Sequence, residues 1–357
     1  NIVDQEKPVY GINTGFGALS NKNISKSDLI DLQYNLIRSH CTGVGSPFKN
    51  EIVKVTMLIR ANCLARGFSG INPSIVSDVS FVDINSAGGG FDFGDATTGR
   101  RAPAGAGNRT RALSAGGCTP SVQDNIDFFT FSSKGNGTDF GNMSTGNRSA
   151  MGGMGGQTRA LFCGGYTPSV SDTIDAVTFA STGSSFDFGN LSVGRWDPAA
   201  FSSPTRGVIA NGTAVAAGNS VSNVIDFVTI ASTGNAEDFG DQYEIVFGGG
   251  AGGNATRGVM MGGAVPSDTS KSATIQYLTI ATRGNTLDFG DLTQARRYGA
   301  CCSSPVRAVY CGGVFPAVSN VMDSINIATQ GDAIDFGDLF DHHFAIPNGC
   351  SNAHGGL

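Results

Sequence analysis

Charge is scarce in this chain. Lys, Arg, Asp and Glu make up 15% of its 357 residues, and the formal net charge is −6. That weakly acidic balance carries no basic footprint for a phosphate backbone, so no nucleic-acid partner is expected. Long apolar runs are missing too. No stretch of 18 or more apolar residues occurs, so no membrane span is expected. The sequence opens on Asn1 rather than Met, which reads as a fragment, and no signal-peptide pattern is visible. The eight cysteines (Cys41, Cys63, Cys118, Cys163, Cys301, Cys302, Cys311 and Cys350) have no CxxC spacing, so free thiols are expected and no metal site. What is abundant is glycine. At 52 residues it holds about twice its usual share of roughly 7%. So much permissive backbone disfavours a mostly helical chain and suits short strands joined by tight turns.

Order appears as repetition. Asp-Phe-Gly occurs six times, beginning at Asp92, Asp139, Asp187, Asp238, Asp288 and Asp335, in steps of 47, 48, 51, 50 and 47 residues. A period of that size marks a propeller or solenoid. Each repeat also carries an arginine (Arg111, Arg159, Arg206, Arg257 and Arg307) followed by a small or apolar run, often into a glycine pair. A β-branched or aromatic strand follows. From Asp127, Asp175, Asp226, Gln276 and Asp323 in those strands, the next Asp-Phe-Gly lies 12 residues on each time, and Ser80 holds the same offset before Asp92. A fixed interval of that length predicts a hairpin. Within the triplet, Phe is expected to fill the space between blades, Gly to adopt a turn conformation, and Asp to cap nearby amides.

Four strands per repeat predict a mainly β fold, a propeller of about six four-stranded blades over 77–357. The approximate blades are 78–99, 100–147, 148–195, 196–246, 247–296 and 297–342, with a closing strand in 343–357. The glycine pair ending the second strand, as in Gly116-Gly117 and Gly312-Gly313, resembles the kelch signature, although the Tyr and Trp of that consensus are missing. The Gly-Asn-x-x-Asp-Phe-Gly-Asp-Leu pattern, with Cys350-Ser351-Asn352-Ala353-His354-Gly355-Gly356-Leu357, resembles repeat proteins of marine bacteriophages. That resemblance implies a virion- or tail-associated, and so extracellular, propeller.

One segment of the repeat changes length. The loops 118–125, 166–173, 212–223, 264–273 and 314–320 join the second and third strands and should emerge on one face. Variable loops on one face mark a candidate binding surface. Thr119, Tyr166, Asn219, Ser220, Asp268, Lys271 and Phe315 are its candidate contacts. A glycan, a host surface or a virion protein is the expected partner of a non-enzymatic module.

Residues 1–76 differ in kind. The segments 27–40 and 50–66 have helical spacing, with Leu29, Leu32 and Leu36 on one face and Ile52, Val55 and Ile59 on another. Tyr10-Gly11-Ile12-Asn13-Thr14-Gly15-Phe16-Gly17, then Leu32-Gln33-Tyr34-Asn35-Leu36-Ile37-Arg38-Ser39-His40 and Met57-Leu58-Ile59-Arg60-Ala61-Asn62, resemble the aromatic amino acid ammonia-lyases, histidine ammonia-lyase most closely. The resemblance reaches about residue 73. It implies a cytoplasmic enzyme with Tyr10 as catalytic base and His40 as the active-site histidine. It also implies an electrophilic MIO ring made from Ala-Ser-Gly, a triplet absent from this sequence. The fragment is therefore expected to be inactive, with no cofactor, and the change near residue 76 reads as a chimeric joint.

Overall fold

The computed structural model describes residues 76–214, 221–266, 270–314, 316–339 and 349–357. The helical segments, Tyr10 and His40 lie outside the described residues, as do Asn219, Ser220, Asp268 and Phe315. Among the described residues every regular element is a strand.

The strands form five four-stranded antiparallel sheets, each a meander in chain order. In the second, Gly152–Gly155 pairs with Arg159–Cys163, which pairs with Thr173–Thr178, which pairs with Phe186–Asn190. The inner strands of the five are Ala104–Gly107, Gly152–Gly155, Ala199–Ser202, Gly250–Gly253 and Ala300–Ser303. This is a β-propeller with five complete blades rather than six. A two-stranded sheet, Val76–Phe81 with Phe91–Arg100, occupies part of the sixth place. It packs against the last blade through Val82 and Ile84 beside Val309, Met322 and Phe336. On its other side, Phe93 meets Phe129 of the first blade edge-on at 6.2 Å.

The Asp-Phe-Gly triplets are β-bulges. Ile126 pairs with Gly141 and Asp127 with Asp139, so Phe140 is the unpaired extra residue, and the same shift recurs in all six sheets that carry a triplet. A bulge turns one side chain out of register. Here it drives Phe140, Phe188, Phe239, Phe289 and Phe336 into the interior. The expected roles of Phe and of the Asp cap hold, since Asp187, Asp238 and Asp335 each accept from the glycine amide two residues on at 3.1 Å. The glycine sits in the bulge rather than in a turn, at φ between 141° and 149°. A Cβ on Gly240 would lie 2.5 Å from the carbonyl oxygen of Gly284 in the following blade. The same approach links Gly94 to Gly135, Gly290 to Gly331, and Gly337 to Gly88 of the two-stranded sheet, which closes the circuit.

The third strands of the second, third and fifth blades bury four residues in a row, as in Ile225 to Val228, rather than alternating. Both faces of a blade are covered by its neighbours, so neither faces water. The core is accordingly a set of interfaces between consecutive blades. Leu113, Ile126 and Phe140 meet Ala160, Phe162 and Phe179, for example. The repeated arginine at the start of each second strand ties one blade to the next. Arg111, Arg159, Arg206, Arg257 and Arg307 donate to the carbonyls of Phe179, Ile230, Ile280, Ile327 and Ile84.

A second arginine set lies inside the blades. Arg100, Arg148, Arg195 and Arg296 pair with Asp127, Asp175, Asp226 and Asp323, and all eight side chains are buried. The fourth blade has neither partner. Val246 and Gln276 stand there, and the Gln276 amide bonds the Glu244 backbone and the Thr286 hydroxyl at 2.8–2.9 Å.

Candidate functional site

The five loops between second and third strands share one anchor. Cys118, Tyr166, Thr213, Ala264 and Val314 each bridge to a residue just ahead of an inner strand: Arg101, Ser149, Trp196, Phe247 and Arg297 respectively. The loops therefore sit on the face where the inner strands begin. Thr119 and Tyr166 are half-buried in two matching small hairpins, Cys118–Thr119 with Ser121–Val122 and Tyr166–Thr167 with Ser169–Val170. Lys271, also half-buried, pairs with Ala264 at the start of a long third strand.

The next residue in each blade turns left-handed. Ala102, Ala150, Asp197, Gly248 and Tyr298 have φ of 53°, 54°, 61°, 64° and 60°. A non-glycine residue held there costs about 1–3 kcal/mol, so such positions attract attention when they carry a reactive side chain. Three of the five are small, and two are Asp197 and Tyr298. Asp197, Gly248 and Tyr298 line one cavity beside the inner strands, together with Met151, Pro198 and Gly249. A Cβ on Gly248 would lie 2.5 Å from the Tyr298 ring, so glycine is what lets that ring lie over the fourth blade.

Asp197 is the unusual group. It is 4% exposed and its Oδ2 has no hydrogen-bond partner. Burial pushes its carboxyl up to about 7, and the Arg297 guanidinium works in the opposite direction. Arg297 itself stacks on Tyr298 at 4.6 Å and on Phe247 at 5.6 Å. Unpartnered buried atoms also gather behind Asp197, at Trp196 Nε1, Asn211 Oδ1 and Nδ2, and Thr213 Oγ1. All four residues belong to the third blade. Asn211 stands where the first, second, fourth and fifth blades have the first glycine of a pair, and keeps its left-handed φ of 61°. Buried polar atoms without protein partners are satisfied by water or by a ligand. The enclosed room is about 40 Å³, enough for a few waters or the polar arm of a larger ligand lying over the mouth.

Sequence reasoning pointed to the loops and missed Asp197, Arg297 and Tyr298. Two signals were present: Asn211 interrupting the glycine-pair position, and the single tryptophan one residue before Asp197. Among the described residues no group of three His, Cys, Asp or Glu side chains could hold a metal ion.

Comparison with known proteins divides the chain. The family model for aromatic amino acid lyases matches residues 1–81. Histidine ammonia-lyase of Bacillus velezensis is 47% identical over 78 residues, covering 22% of this chain and 15% of that protein. Histidine ammonia-lyase of Clostridium tetani is 55% identical over 71 residues, 20% of this chain and 14% of that protein. Tyrosine 2,3-aminomutase of Myxococcus fulvus is 51% identical over 69 residues, 19% and 13% respectively. This chain thus spans about 15% of the length of the curated relatives it matches. The propeller is similar to the solved structure of YjhT, with a TM-score of 0.60 over 70% of this chain and 87% of that one, at 8% identity. At that identity the likeness concerns the fold.

Proposed function

We propose that this chain is a non-enzymatic binding module that takes a glycan at the loop face of its propeller. The observation that carries the reading is Asp197, a buried carboxyl with an unpartnered oxygen at a cavity on the loop face. Sugar hydroxyls donate and accept at once. They suit a carboxyl acceptor beside a guanidinium and an aromatic ring, which Asp197, Arg297 and Tyr298 supply. Thr119, Tyr166 and Lys271 would contribute from the loops, and Asn219, Ser220, Asp268 and Phe315 are the further candidate contacts in sequence. The resemblance to marine bacteriophage repeats supports a virion- or tail-associated setting.

A glycan array on the full chain tests this, repeated with Asp197→Ala and with loops 212–223 and 264–273 replaced. Binding that weakens about tenfold or more in each variant is expected. Binding indifferent to all three changes would overturn the loop-face site. Capture of a protein partner with no glycan signal would move the ligand class to a protein surface.

The match over residues 1–81 favours a second reading, a fragment of histidine ammonia-lyase that on its own eliminates nothing from histidine. Tyr10 would be the base, but a base needs an electrophile to eliminate against. The MIO ring that supplies one in that family is made from Ala-Ser-Gly, which this sequence lacks. An absorbance assay for urocanate is expected to stay flat, and turnover would refute the inactive reading.

A further inference from the structure

Residues 349–357 lie along the axis of the ring and touch the inner strand of every complete blade. Ser351 donates through its hydroxyl to the Ser303 carbonyl, and the Gly355 amide donates to the Gly253 carbonyl at 3.0 Å. Gly356 passes so close to the second and third blades that a Cβ there would meet the Gly155 carbonyl and the Ser202 hydroxyl. His354 completes the set at the first blade. One ring nitrogen, Nε2, is 2.7 Å from the Gly107 carbonyl oxygen, and the other, Nδ1, accepts from the Gly356 amide at 3.0 Å.

Those two bonds define one protonation state. A carbonyl oxygen can only accept, so Nε2 carries the hydrogen. A backbone amide can only donate, so Nδ1 carries none. The ring is neutral. A second proton would sit on Nδ1, break the bond to Gly356 and place a charge where burial already opposes it. Burial lowers the His354 pKa, and the bond to Gly107 works the other way.

We propose that the inner strands form a carbonyl-lined channel that binds the segment 349–357 as its own peptide ligand, holds it while His354 is uncharged, and releases it in mild acid. Among the described residues, the elements packed around this segment bring no carboxylate or cation to face the ring. Their titratable groups are the thiols of Cys301 and Cys302, with Cys350 on the segment itself. Burial raises the pKa of the Cys301 and Cys350 thiols, away from that of histidine.

The test is hydrogen exchange read by mass spectrometry on the full chain, at about pH 7.5 and about pH 5. After correction for intrinsic rates, the amides of 349–357 should lose about tenfold or more protection at the lower pH, while the blade strands keep theirs. His354→Gln can donate and accept without titrating, and should hold the segment at both values. An NMR titration of the His354 ring gives a second readout, and its midpoint should coincide with release. The proposal fails if protection in the parent persists at about pH 5, if it is lost together with that of the blades, or if His354→Gln releases with the parent's pH profile.

Discussion

The buried Arg–Asp pairs offer a sharp test, because the molecule carries its own control. Arg195 and Asp226 are 0% exposed and meet at 2.7 Å. Arg195 also donates to the Val224 carbonyl at 2.6 Å, and Ser192 donates to Asp226 at 2.5 Å. Burial disfavours the charge on both partners, lowering the arginine and raising the aspartate, while their mutual attraction works against it. Removing one partner strands the other charge in the interior, which costs about 3–5 kcal/mol. Against a typical stability of roughly 5–15 kcal/mol that is a large loss. For a unit this size it corresponds to about 5–9 °C in Tm. Replacing both is another matter. The fourth blade holds Val246 and Gln276 at these positions, and Gln276 satisfies its amide on neighbouring backbone and Thr286. Arg195→Val and Asp226→Gln alone should therefore each be costly, and the double variant should recover at least about 2 kcal/mol of their sum. Thermal and urea unfolding of the four proteins would measure it. If the two costs simply add, or if Arg195→Val costs under about 1 kcal/mol, the pairing is not what these residues are there for.

Two further outcomes follow from the geometry. Asp197 is held at about 7 in the folded chain, above its unfolded value, so its stability contribution is complete below about pH 4 and is lost as pH rises through 7. Asp197→Asn removes that loss. Its Tm relative to the parent should rise from about pH 5 to about pH 8, and a flat difference would show that the carboxyl is not buried as described. Gly240→Ala meets both a φ of 149° and a carbonyl 2.5 Å from the new methyl, so a loss of about 2–4 kcal/mol is expected in urea unfolding, and a loss under about 0.5 would refute the close inter-blade approach.

Much of the scaffold was legible in the sequence because the repeat imposes constant intervals. The 12-residue step from strand Asp to triplet is a hairpin, and the inward Phe of five of the six triplets was readable from recurrence. The glycine was read as a turn residue because sequence shows that φ is unusual, not where. Its true setting, a bulge pressed against the next blade, depends on a partner about 45 residues away, as Gly284 is from Gly240. The Arg–Asp pairs were hidden for a related reason. Arg195 lies in the connection ahead of the first strand and Asp226, 31 residues on, in the third strand, so neither looks special until both faces of a blade are seen to be covered. The loops announced themselves by length. Asp197 did not, since a single acidic residue means little until burial removes its partners.

The near-symmetry of the ring is what gives Asp197 its weight. Five blades solve one folding problem with the same hydrogen bonds, so a position that departs from the common solution without a folding gain is where another requirement acts. At the left-handed position, glycine in the fourth blade shows the low-strain choice, and alanine in the first and second shows that a small residue suffices. Aspartate in the third adds a desolvated carboxyl to the same strain, with the Arg297 guanidinium nearby and no hydrogen-bond partner for its Oδ2. Asn211 behind it gives up a glycine at another left-handed site, and both of its amide atoms are left unbonded by protein. Neither choice gains a protein hydrogen bond at those atoms. On the reading proposed above, a ligand over the mouth would complete those bonds, and the glycan array with Asp197→Ala is the measurement that decides it.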